Sequence, residues 1–106
     1  MIIQIWNSEA EIGYKQITTF YADFSIADMF GVKGVKDTFN RAFKNWKDDY
    51  RYLTELVLVL NRKSWYYAEK NEELSSLYVE LYYEASDYAL STLKGEELKY
   101  YLNTTD

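Results

Sequence analysis

The stretch YRYLTELVLVLNRKSWYYAE, residues 50–69, decides the fold. Read at helical pitch, its apolar residues Leu53, Leu56, Val57, Leu58, Val59, Leu60, Trp65 and Tyr66 cover nearly every side. A polar strip remains, made of Arg51, Glu55, Arg62 and Glu69. The run 56–60 alone would suit a buried strand, but its flanks extend the pattern to helix length. A helix that is apolar on most sides belongs inside a core. The expected fold is therefore mainly α: a compact bundle of four to five helices around this central apolar helix, in a single domain over 1–106. The chain has no proline, and its glycines are Gly13, Gly31, Gly34 and Gly95. Nothing forcibly breaks a helix between Gly34 and Gly95.

Working outward, Asn71 followed by Glu72 and Glu73 marks a helix start. That helix runs to about Leu93, with Leu74, Leu77, Tyr78, Leu81, Ala85, Tyr88 and Ala89 inward. A short last helix, 96–102, turns Leu98, Tyr101 and Leu102 to the core, and 103–106 is a polar tail. On the other side, Val35, Phe39, Ala42, Phe43 and Trp46 form the apolar face of a helix starting near Gly34. Asp48 or Asp49 then either caps a new helix or sits inside a continuous one spanning 35–69. Earlier still, Phe20, Phe24, Ala27 and Phe30 share a helix face ending at Gly31. Its start is Thr18 or Thr19 in one reading and Ser25 in the other. Alternation at 2–6, with a return at 14–18, predicts a short N-terminal β-strand or hairpin.

Twelve Tyr, five Phe and three Trp stand beside no His and no Cys. Aromatics supply packing and contact area. His and Cys supply most proton shuttling, nucleophilic attack and soft metal ligation near neutral pH. Disulfides, zinc–thiolate sites and iron–sulfur clusters are excluded. Ser25, Ser64 and Ser86 have no His to activate them. The Gly31–Gly34 connector lacks the pattern of a phosphate loop. The expectation is no enzyme, no catalytic residue, no cofactor and no metal. The N-terminal MIIQIW lacks a basic region and is too short for a signal peptide, and the longest apolar run falls far short of a membrane span. A soluble cytoplasmic protein without membrane attachment is expected.

The net charge of −5 hides a segregation. Residues 1–31 carry −3, residues 32–66 carry +4 and residues 67–106 carry −6. Three surfaces follow from placing the charged and apolar residues on helices. Lys33, Lys36, Lys44 and Lys47 share one side of the second helix, within about 80°. They form either a solvated face or a surface for phosphates or an acidic partner. Glu69, Glu73, Glu80, Glu84 and Asp87 lie within about 60° on the fourth helix. That row is a solvated face, a partner for the lysines within one molecule or across a dimer, or an imitation of a phosphate row. The third surface is an apolar strip of Val79, Tyr83 and Leu90, about 140° or more from Leu81. A surface helix in a monomer has no need of two apolar faces. The strip is either buried in the domain or made for a partner.

The segments TTFYADFSIADMFG (18–31), VKDTFNRAF (35–43), YLTELV (52–57) and LKGEEL (93–98) resemble a group of small uncharacterised proteins. These belong to conjugative elements and phages of gut Firmicutes and related bacteria. The resemblance covers residues 18–106. It implies a mobile-element context, transfers no functional residue, and fits a small acidic protein acting on a host or element protein. The expected function is a non-catalytic protein-binding module, a mobile-element accessory protein that associates with a protein partner, a second copy included. The alternative is nucleic-acid-related: a DNA mimic acting through the acidic face, or weak nucleic-acid binding through the lysines, direct binding being the less favoured.

Overall fold

The computed structural model describes residues 20–105. Five helices follow one another among them: α1 over 20–28, α2 over Gly31–Trp46, α3 over Tyr50–Tyr67, α4 over Glu72–Thr92 and α5 over Gly95–Thr105. No strand occurs among the described residues. The N-terminal strand or hairpin expected at 2–6 and 14–18 lies outside them. The fold is a compact helical bundle, and among the described residues no helix is long and apolar enough to cross a membrane.

Local chemistry sets the boundaries. α2 and α3 are separate helices, because Asp49 is extended (φ −110°, ψ 106°) and its side chain accepts from the backbone N–H groups of Arg51 and Tyr52. That contact satisfies donors a helix start otherwise leaves orphaned. Asp49→Ala is expected to cost about 1 kcal/mol, read as a shift in the urea midpoint at unchanged slope. Asn71 does the same for α4, accepting from Leu74 N–H. Glu72 and Glu73 then lie in the first turn, where the helix dipole favours acids.

Some expectations are corrected. α1 stops at Asp28, and α2 begins at Gly31 rather than near Gly34. Gly31 turns the corner with φ +73°. The sharp turn leaves Phe30 outside the core, 72% exposed, although it continues the spacing of Phe20, Phe24 and Ala27, all of which are buried. α5 runs on to Thr105, so 103–105 is helix rather than tail. Of its three expected core residues, Tyr101 is buried, Leu98 half-buried and Leu102 exposed.

The core combines Phe24 of α1 and Val35 and Phe39 of α2 with the middle of α3 and the inner face of α4. α3 makes its most extensive contact with α4 and also packs on α2 and α5. Leu53, Leu56, Val57, Val59 and Leu60 are all fully buried. Glu55, placed by the sequence in the polar strip of α3, is buried as well at 4% exposed.

Candidate interaction surface

The strip Val79, Tyr83 and Leu90 lies outside the core. All three are exposed, Tyr83 at 59%, while Leu77, Tyr78, Leu81, Ala85 and Ala89 of the same helix face inward. Val79 and Tyr83 line a shallow groove between α3 and α4 with Trp65, Ala68, Ser75 and Tyr82. Trp65 is 74% exposed. The Tyr82 and Tyr83 rings meet edge to face at 5.3 Å, which props the Tyr83 ring on the helix surface. A tryptophan and a tyrosine flanking one groove with apolar walls make a concentrated patch of spare apolar surface. Trp65 was not legible as part of it, because α3 is apolar on so many sides that periodicity does not say which one is left uncovered.

Tyr83 also forms the rim of a second groove, between α2 and α4. Its walls carry opposite charge: Lys36 and Asn40 on one side, Glu80 and Glu84 on the other. The basic and acidic faces therefore approach each other within one molecule. They are not equally available. Lys33 pairs with Asp37 at 2.8 Å, and that carboxylate holds its pKa above the ordinary lysine value. Lys47 is half-buried and reaches over the rings of Phe43 and Tyr88, 5.9 and 5.7 Å from their centroids. Lys36 and Lys44 remain exposed, so the lysine row is split between local partners and solvent. Glu73, Glu80, Glu84 and Asp87 are exposed on α4, whereas Glu69, expected in the same row, is exposed in the turn between α3 and α4 and does not belong to that helix.

A polar cluster unforeseen from sequence joins α1 to α3 and α4. Lys63 donates to Asp28 Oδ2 at 2.9 Å and to Ser25 Oγ at 2.9 Å. The Tyr67 hydroxyl donates to Asp28 Oδ2 at 2.6 Å, and the Tyr78 hydroxyl donates to Asp28 Oδ1. The Lys63 ammonium also stands 4.6 Å from the centroid of the Tyr21 ring. Both charged side chains are almost wholly buried, 3% and 7% exposed. Burial first, and donation to the Asp28 carboxylate second, push the Tyr67 and Tyr78 hydroxyls far above the ordinary tyrosine pKa. Every member is satisfied, and the cluster binds three helices together. Its chemistry is that of a scaffold.

Among the described residues no group of three or more acidic side chains is placed to hold a metal ion. The chain matches no family model, no curated protein and no solved structure.

Proposed function

We infer that the chain is a non-catalytic protein-binding module, a mobile-element accessory protein working through the outer face of α4 around Tyr83. The observation that carries this reading is the pair of exposed aromatics, Tyr83 and Trp65, lining one groove together with Val79. Aromatic anchors of this kind dominate the energetics of protein contacts. The mobile-element context rests on the resemblance alone.

A second copy is the partner that the strip itself accommodates. Val79 and Leu90 bracket Tyr83 along a straight helix, so an antiparallel twofold pairing sets Val79 of one copy near Leu90 of the other. The same operation keeps like edges together and brings the two acidic rows, Glu80, Glu84 and Asp87, face to face. Self-association should therefore strengthen as added salt screens that repulsion. Binding to nucleic acid has the opposite salt dependence.

Sedimentation velocity across a wide concentration range tests this. The wild type should form dimers, more of them at high salt, while Tyr83→Glu and Trp65→Glu remain monomeric. A wild-type monomer at the highest concentration removes self-association. Pull-down from the native host, with Tyr83→Glu as control, then tests the module itself. Identical recoveries with both proteins would remove it.

The exposed acids Glu73, Glu80, Glu84 and Asp87 on one side of α4 also support a second reading, mimicry of a phosphate row against a host DNA-binding enzyme. Unchanged activity of host restriction enzymes and nucleases in the protein's presence would end that reading. Direct nucleic-acid binding is weakened by the engagement of Lys33 and Lys47 with neighbours in their own chain.

A further inference from the structure

Glu55 lies on α3, the helix against which α5 packs most extensively. It is almost completely buried, and its Oε2 has no hydrogen-bond partner. A buried carboxylate with one oxygen left unpaired is costly, whereas the neutral acid is tolerated. α5 depends on few anchors. Tyr101 is its one fully buried residue, with its hydroxyl 2.6 Å from Ser86 Oγ of α4. Tyr100 meets the Tyr50 ring edge to face at 5.3 Å, with the Arg51 guanidinium 5.9 Å from the Tyr100 ring centroid. The helix begins at Gly95, with φ +61°, directly after the short connection from α4. A light helix joined through a glycine and seated by a buried acid is built to come away as a unit.

We propose that Glu55 is a proton-dependent latch for α5: the neutral carboxyl keeps the helix docked on α3, and loss of the proton loosens it. Burial pushes the Glu55 pKa up to about 7, and the charge of Arg62 and the Tyr100 hydroxyl pull it down by less. Arg62 sits on α3 itself and Tyr100 on α5. Arg51, one turn before Glu55, lies against the Tyr100 ring. The α4 groups at this end, Tyr82, Ser86 and Asp87, act on Tyr101. The sign follows from linkage. A carboxyl whose pKa is raised in the docked state contributes its stabilisation at low pH and loses it as pH rises through about 7. If the undocked carboxyl titrates at the ordinary 4.5, undocking becomes about tenfold more favourable at pH 8 than at pH 6.

Amide hydrogen exchange on the full chain reads this directly, as protection factors corrected for the intrinsic pH dependence of exchange. Protection of the α5 amides should fall about tenfold from pH 6 to pH 8 while that of the α4 interior stays level. In Glu55→Gln, which keeps the shape and removes the charge, α5 protection should be the same at both pH values. Glu55→Met serves as a second neutral variant if the glutamine protein loses helix by circular dichroism. Equal α5 protection at both pH values in the wild type would overturn the proposal. So would a parallel loss from α4, or a fall that persists in the neutral variants.

Discussion

Replacing Asp28 by alanine is expected to cost about 4 kcal/mol of stability, a large share of what a domain of this size possesses. Asp28 is the acceptor for Lys63, Tyr67 and Tyr78 at once. Its removal leaves an ammonium 3% exposed with only Ser25 Oγ and aromatic ring faces for company. The buried Tyr78 hydroxyl and the half-buried Tyr67 hydroxyl lose their acceptor in the same step. Equilibrium urea denaturation should show the midpoint falling steeply, and the thermal midpoint should drop by about 15 °C or more. A loss below about 1 kcal/mol would mean that water reaches Lys63 once Asp28 is gone, and that the pair is not held dry.

Lys63→Met should be milder, because the Asp28 carboxylate keeps the Tyr67 and Tyr78 donors. Asp28→Ala together with Lys63→Met should recover much of the single-variant loss, since no charge is then stranded. That non-additivity separates a buried ion pair from two independent packing sites. The cost should also fall on α1 first, because Asp28 is its last residue and ties it to α3 and α4. Exchange protection in α1 should collapse before that of the α3 and α4 interior.

The start of α4 at Asn71 was legible because a cap is a local event, decided by one side chain and the next few N–H groups, whereas at Asp48–Asp49 the sequence left a cap and a continuous helix both open, and only the extended backbone of Asp49 decides between them. The inward face of α4 and its second strip at Val79, Tyr83 and Leu90 were legible for a related reason: a fixed pitch converts spacing into direction. Asp28 and Lys63 lie 35 positions apart, and their meeting is a product of tertiary packing. A signal nevertheless stood in the chain. At helical pitch Lys63 falls on the same side of α3 as Leu56 and Leu60, and Asp28 follows Phe24 by one turn. A charge inside an apolar stripe announces either a break in the stripe or a buried partner. Glu55 gave less warning, because it falls among Arg51, Arg62 and Glu69 on the one polar strip of α3. It is buried by tertiary packing, and the Tyr100 hydroxyl of α5 stands beside it. Phe30 misled in the opposite direction: its spacing matches Phe24 and Ala27, but the helix stops before reaching it.

Gly34→Ala separates helix propensity from close packing, because the two predict opposite signs. Gly34 lies in the first turn of α2, where alanine would normally stabilise by about 1 kcal/mol. A Cβ at this position, however, would stand 2.6 Å from the Ala27 carbonyl oxygen and 2.7 Å from Phe30 Cβ. Neither atom is the free end of a flexible chain. The Ala27 oxygen accepts the Phe30 N–H at 2.9 Å, and Ala27 itself is buried in the core. Relief therefore requires the end of α1 to move away from α2, which pulls on Phe24 and on the Asp28 cluster beyond it. The expected net loss is about 2–3 kcal/mol, or about 10 °C or more in the thermal midpoint. Gly31→Ala, three residues earlier, is the control. Nothing lies within 4 Å of a Cβ there, and the penalty is confined to a left-handed φ of +73°, about 1–2 kcal/mol. Asparagine, which visits that region more readily, should cost less than alanine at Gly31, whereas at Gly34 it should cost more, because its longer side chain meets the same wall. A Gly34→Ala protein as stable as the wild type would show that α1 and α2 do not approach this closely, and that their corner is set by Gly31 alone.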